Sequence, residues 1–399
     1  MLAPAASIND TAQPQQASWS AVFALSLGAF ALVASEFMPV SLLTPIAADL
    51  RITEGQAGQA IAVSGGFAVL TSLFIASVTG RLDRRWLLLG LMGLTILSGT
   101  IVAIAPNYEI FMLGRALIGV AIGGFWSMSA ATAIRLVPAD QVAKALAVFN
   151  GGNAMATVVA APLGSFLGGL IGWRGAFFCV VPVAAVVFVW QWASLPSMQP
   201  DRASGAGGVF GLLRRPVVAL GMAGVSLLFM GQFTLFTYVR PFLETVGQVD
   251  VPTLSLMLLG MGVSGFIGTS LIGGFLKDRG IYRVLVAIPL IMMVIALALM
   301  AFGGGVAVTA GLLALWGLFS TAAPVGWWAW LARTLPRDAE RGGGLMVAVV
   351  QLAITLGAVV GGVLFDRSGY AATFGASALL LLVAAVLALL TARQTGTPA

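Results

Sequence analysis

The chain contains no histidine and a single cysteine, Cys179. The first absence removes imidazole metal sites, Ser-His-Asp triads and histidine proton relays. The second rules out an intrachain disulfide. Charge is scarce as well: 9% of the residues are Asp, Glu, Lys or Arg, against about 25% in soluble domains. Lysine occurs twice, as Lys144 and Lys277, and neither closes a G-x-x-x-x-G-K-[ST] phosphate loop. The sequence therefore offers no nucleotide-driven motor and no acid–base set for an enzyme. No enzymatic activity, metal or other cofactor is expected, and any work done would have to draw on an ion gradient.

What is present is apolar: 59% of the 399 residues are hydrophobic. No soluble core hides that much apolar surface, so the surrounding solvent must be lipid. The net charge of +6 could point to nucleic acid, but positive residues retained in cytoplasmic loops account for it more simply, and no nucleic-acid partner is expected. The stretch Trp19–Leu43, WSAVFALSLGAFALVASEFMPVSLL, exceeds the roughly 20 apolar residues needed to cross a bilayer. It carries one ionisable side chain, Glu36. A carboxylate within a span costs about 2.5–3.5 kcal/mol on insertion scales, which makes an intramembrane acid a functional candidate by default.

Twelve apolar segments follow one another, roughly 19–43, 55–79, 86–105, 109–136, 142–170 and 175–194, then 217–243, 252–276, 282–303, 306–333, 343–365 and 370–391. The predicted organisation is a cytoplasmic tail over 1–18, a six-helix bundle over 19–194, a cytoplasmic linker over 195–216, a second six-helix bundle over 217–391 and a cytoplasmic tail over 392–399. Loop charge agrees with it. With both termini in the cytoplasm, only Arg51, Arg174, Arg240 and Arg367 of the 20 Lys and Arg fall on the opposite side, and Arg115 lies within a span.

The halves also resemble each other. Asp83-Arg84 recurs as Asp278-Arg279 at an offset of 195, Glu36-Phe37 faces Gln232-Phe233 at 196, and Gly172-Trp173-Arg174 aligns with Gly369-Tyr370-Ala371 at 197. One duplicated unit is implied, and parallel repeats of this kind build transporters with a site between the halves.

Twelve spans with Asp-Arg after the second and eighth resemble the major facilitator superfamily. Gly274-Phe275-Leu276-Lys277-Asp278-Arg279 is similar to that family's G-x-L-x-D-R loop; the first-half copy has Thr79 where the leading Gly stands. Arg115-Ala116-Leu117-Ile118-Gly119 resembles its R-x-x-x-G element, and Ala161-Pro162-Leu163-Gly164 its antiporter element, with Ala before the Pro in place of Gly. The stretches SEFMPVSLLTPIAADL, APLGSFLGGLIGWR, FTYVRP, PVGWWAW and AVVQLA are similar to the purine ribonucleoside exporters of its twelve-span drug:proton antiporter group. The resemblance implies an all-α membrane protein of two pseudo-symmetric six-helix bundles in a bacterial inner membrane. It also implies proton-coupled efflux of purine nucleosides by a monomer. Export of sugars or lipophilic drugs is the alternative, and a non-transporting membrane receptor the rival from another class.

Candidate residues follow. Glu36 and Arg115 form a predicted proton site with its charge partner, or an ion pair that only orients helices. Gln232, the repeat partner of Glu36, can donate and accept hydrogen bonds to a substrate or join helices. Asn150 and Asn153, three apart on one helix face, and Gln351 on the eleventh span suit purine and ribose polar groups equally well. Trp126, Phe236, Tyr238 and Trp328 are candidate stacking surfaces for a base, or belt and packing residues. Asp83, Arg84, Asp278 and Arg279 read as a latch between the halves at cytoplasmic helix ends. Pro162, Gly164 and Gly361 mark the fifth and eleventh spans as smooth gating helices.

Overall fold

The computed structural model of the chain describes residues 17–78, 82–198, 210–276, 280–336 and 338–394. Among them there is no strand. Twelve helices run in chain order: α1 Trp19–Leu50, α2 Glu54–Val78, α3 Arg84–Ile104, α4 Tyr108–Arg135, α5 Val142–Phe178, α6 Val180–Ser194, α7 Pro216–Phe236, α8 Val239–Thr245, α9 Val251–Leu271, α10 Ile281–Phe302, α11 Val306–Thr334 and α12 Ala339–Gln394. Several starts are set by side chains. Asn107 accepts from the Ile110 N–H ahead of α4, and Asp250 from the Thr253 N–H ahead of α9, each satisfying a donor that a first helical turn leaves free.

Among the described residues ten stretches are long and apolar enough to cross a membrane, and two of them, Lys144–Ser194 and Arg341–Gln394, run to 51 and 54 residues. About 20 residues make one crossing, so each of these is long enough for two. Both contain a glycine in a conformation open only to glycine: Gly172 at φ 76° and Gly369 at φ 71°. The chain reverses at both. Before Gly172, α5 runs alongside α1 in the same direction, with Ser26 against Val148 and Ser41 against Gly164. After it, the direction is opposite, with Arg174 at Asp49 and Trp190 at Ser20. Around Gly369, Gly357 and Gly361 meet Met230 and Thr234 in parallel, whereas Ser377 and Leu387 meet Gly231 and Gly224 in reverse. Ten helical stretches are thus consistent with twelve crossings, and the reversals fall on the repeat-equivalent pair. The first is pinned from outside: Arg174 donates to the Ala105 carbonyl at 2.6 Å and pairs with Asp49, which also accepts from the Trp173 indole at 3.2 Å.

α1 to α6 pack on one another as one bundle, and α7 with α9 to α12 as the second. Backbone-to-backbone approach replaces hydrophobic burial as the glue, because lipid is as apolar as leucine. A methyl at Gly119 or Gly123 of α4 would run into the Ser64 or Ala68 carbonyl of α2. A methyl at Gly268 of α9 or Gly317 of α11 would collide with the Leu318 or Met261 carbonyl in the same manner.

The bundles meet through α2 with α12, α5 with α9 and α1 with α8. The cross-bundle contacts begin at one end, where Asp366 of α12 accepts from Thr53 Oγ1 at 2.6 Å and the Gly55 N–H at 2.9 Å. They continue to Gly65, which lies against Thr355. On α5 the last contact of this kind is Val158 against Gly262 of α9; past that level, on the same face, Gly151 has open space around it and Met155 is exposed. The molecule is closed at the Asp366 end and parted toward the end that carries Asp83 and Arg84.

Gly123→Ala should therefore destabilise the protein by about 1–3 kcal/mol through overpacking. Gly90→Ala, with nothing near the added methyl, should be neutral or stabilising by roughly 0.5–1 kcal/mol. Thermal unfolding midpoints of the two purified variants, moving in opposite directions from the parent, check this.

Candidate functional site

Two prolines shape the helix that carries the acid. Pro39 and Pro45 sit inside α1. Each lacks an N–H, so the carbonyls four residues earlier, Ser35 and Ser41, have no donor within the helix. In a membrane no water stands by to replace it. Arg115, fully buried on α4, fills the first gap. Its Nη1 donates to the Ser35 carbonyl at 2.8 Å and its Nη2 to the Glu36 carbonyl at 3.0 Å and Ser64 Oγ at 3.1 Å. Its Nε donates to the Ala60 carbonyl at 3.1 Å. The fork of a guanidinium suits this spread of acceptors as no lysine would.

The predicted partners Glu36 and Arg115 are brought together, each within reach of the other's charge, but their side chains are not bonded to one another. The arginine binds the backbone of residue 36, and no hydrogen bond or ion pair links it to the carboxylate. The Glu36 side chain, 4% exposed, instead accepts from Gln351 Nε2 of α12 at 3.3 Å. The intramembrane acid of one bundle is hydrogen-bonded to an amide of the other. Beside it, Phe37 stacks on Phe233 of α7 with centroids 5.6 Å apart, and Phe233 meets Phe236 edge-on at 5.8 Å. Gln232, next to Phe233, is half-buried, and its Oε1 is buried without a hydrogen-bond partner among the described residues. Glu36, Gln351, Gln232 and the Phe37–Phe233–Phe236 ladder therefore share one level of the seam.

The other candidates are scattered. Trp126 is half-buried within the first bundle, edge-on to Phe125 and Phe149. Asn150 is exposed on the parted side and donates to its own helix at Leu146, while Asn153 is half-buried one turn on. Trp328 is 45% exposed and approaches Gly343 at the start of α12. Tyr238 is not available to a ligand here. It is fully buried at the closed end, stacked on Phe365 at 5.3 Å, with its hydroxyl donating to the Ala358 carbonyl at 2.8 Å. It fits there because Gly58, Gly361 and Gly362 carry no side chains to block it.

Pro162 and Gly164 lie on α5, with Gly164 against Ser41 and Met38 of α1; Gly361 of α12 lies against Thr234 and Tyr238. These glycines seat each seam helix on its own bundle. Asp83 is engaged differently from the predicted latch. It accepts from the Arg85 and Met198 N–H groups at 2.8 and 3.0 Å and from the Ser197 hydroxyl, so it ties the start of the linker to α3. Burial alone would raise its carboxyl; the hydrogen bonds from Ser197, Met198 and Arg85 outweigh that and hold it below the usual carboxylate range. The Arg84 N–H donates to the Met198 carbonyl at 3.0 Å. Asp278 and Arg279 lie outside the described residues.

Arg240 was missed. The sequence reading counts it only as a charge on the non-cytoplasmic side, at the end of the segment 217–243, yet it is 5% exposed, pairs with Glu244 at 2.8 Å, and donates through Nη1 to the Ser41 carbonyl across the seam. The signal was there to be read: Pro45 orphans Ser41 four residues before it.

Similarity to known proteins runs along most of the chain. A relative from Pseudomonas aeruginosa, the transcription regulatory protein OpdE, is 65% identical over 384 residues, covering 95% of each chain. The purine ribonucleoside efflux pump NepI of Salmonella typhimurium is 42% identical over 369 residues, covering 92% of this chain and 93% of its own. Among solved structures, a bacterial homologue of the human lysosomal transporter Spinster, inward-facing and occupied, superposes with a TM-score of 0.73 at 15% identity over 93% of this chain and 96% of its own. The human organic anion transporter MFSD10 gives 0.67 at 17% identity over 94% of this chain and all of its own. Likeness at such low identity speaks to the fold alone. The sequence profile of the Major Facilitator Superfamily matches residues 25–341, and with the multi-pass helical fold and the 42% identical efflux pump this places the chain in that superfamily.

Proposed function

We propose that this transporter exports purine ribonucleosides, such as inosine, adenosine and guanosine, and purine analogues, in exchange for protons. It works by alternating access between halves 19–194 and 217–391 in a bacterial inner membrane. The observation that carries the reading is the hydrogen bond from Gln351 Nε2 to the Glu36 carboxylate at 3.3 Å, because it joins the two halves through an acid buried at the seam. A bond to an ionised carboxylate is roughly twice as strong as one to a neutral acceptor. Protonating Glu36 weakens this tie, and deprotonating it restores the tie, so occupancy by a proton biases how the halves lie. With both termini cytoplasmic, the parted end faces inward and the Asp366 end outward.

The purine class rests on the 42% identical nucleoside pump and on the chemistry beside Glu36. The free Gln232 Oε1 offers an acceptor to an exocyclic amine or a ribose hydroxyl. Phe37, Phe233 and Phe236 offer apolar ring surface to a base. Asn150 and Asn153 stand on the parted side, on the approach to that level. A nucleoside is neutral, so exchange against a proton moves net charge, and both the pH gradient and the membrane potential would drive it.

A second reading is a membrane receptor that reports on a ligand without moving it. It is favoured by the name of the Pseudomonas aeruginosa relative, a transcription regulatory protein. Flux separates the two readings: inverted vesicles should accumulate labelled inosine under an imposed pH gradient and lose that accumulation with a protonophore. Binding without flux would favour the receptor.

Two variants test the coupling. Glu36→Gln should bind inosine within a few-fold of the parent yet show uptake that no longer responds to the pH gradient; unchanged gradient-driven uptake would remove Glu36 from the role. Gln351→Leu removes the partner and leaves the acid. It should lower gradient-driven uptake about tenfold, in line with loss of one hydrogen bond to a charged group, while facilitated exchange of labelled for unlabelled inosine persists.

A further inference from the structure

Helix α1 presents two proline-freed carbonyls six residues apart, and each receives an arginine. Ser35, freed by Pro39, is served by Arg115 of the same half. Ser41, freed by Pro45, is served by Arg240 of α8, which belongs to the other half. The first bond can last through any rigid-body rocking. The second joins the halves at the end where they are closed, so it has to break whenever that end opens.

We propose that Arg240 is the key of the outer gate and the Ser41 carbonyl its socket, an assignment that rests on the alternating-access reading but on no particular substrate. The chemistry fits a bond that must be made and broken in each cycle. An interior lysine or arginine that loses its only partner is left as an uncompensated charge. Arg240 avoids this, because its Nε donates to Glu244 one turn along its own helix at 2.8 Å. When the halves part at this end, the guanidinium keeps its counter-ion and surrenders one hydrogen bond to a neutral oxygen. That oxygen turns toward the newly opened side, where water can serve it. Ser41 does not need its hydroxyl for the task, since Oγ donates to the Met38 carbonyl at 3.1 Å. Pro45 strengthens the socket: with any other residue there, an N–H of the same helix would compete for the Ser41 carbonyl and weaken the bond from Arg240.

The experiment reads the gate directly. In a Cys179→Ser background, spin labels at Gln56 on α2 and Arg367 on α12, both exposed at the closed end, report the separation of the halves in lipid nanodiscs without substrate or gradient. Arg240→Met should raise the long-distance population about tenfold, the size expected for loss of one charge-assisted bond. Pro45→Ala should raise it too, although Arg240 is untouched, because the restored N–H competes with the guanidinium for the Ser41 carbonyl. The double variant should not exceed Arg240→Met by more than experimental error, since both act on one interaction. A Pro45→Ala protein with the parent's distances, or additive effects in the double variant, would overturn the proposal. Because purine transport is not measured, failure here leaves the substrate reading standing, and a chain that exports something else would still show the gate.

Discussion

A membrane leaves no carbonyl to water, and α1 breaks that rule twice by placing Pro39 and Pro45 inside a buried helix. The repairs organise the surrounding structure. Arg115 serves the Ser35 and Glu36 carbonyls of α1 together with Ala60 and Ser64 of α2, so one guanidinium binds three helices of the first bundle at the level of the acid. Arg240 serves Ser41 from the opposite bundle. A helix with two proline-made sockets is in this sense the axle of the fold: one socket holds its own bundle together, the other holds its neighbour.

That division frees the carboxylate. Had Arg115 paired with the Glu36 side chain, the acid would be locked within one bundle and its protonation would matter mainly to local stability. Because the arginine is taken up by backbone oxygens, the carboxylate turns to Gln351 across the seam. The proposed coupling follows from this exchange of partners: a proton on Glu36 acts on the relation between bundles and not on the integrity of either.

The duplicated architecture supplies the rest. Gly172 and Gly369, at equivalent places in the repeat, both turn the chain back on itself with positive φ. Gly164 and Gly361, also equivalent, let α5 and α12 settle closely on α1 and α7. Symmetry is broken where chemistry is needed. Glu36 is matched by neutral Gln232, and the wedge at the closed end, Tyr238 against Gly58, Gly361 and Gly362, is built from one side of the seam into the other.

Much of this was legible in the sequence. Length and scarcity of charge marked out twelve apolar segments, with which the helices are consistent, because the energetic demand of lipid falls on each segment separately. The breaks between the segments at 170–175 and 365–370 located both reversals, and the structure adds that Gly172 and Gly369 make them at positive φ, a local demand that glycine meets without strain. The isolation of Glu36 singled out the acid. What only the tertiary structure decided was partnership: that Arg115 binds backbone and not carboxylate, that Gln351 reaches Glu36, that Tyr238 is packing, that Asp83 holds the linker, and that Arg240 crosses the seam. Residue spacing ranks which groups are too polar to stand alone in lipid. It does not say which of several donors, far apart in the chain, arrives at each acceptor, since that is settled by how whole helices dock.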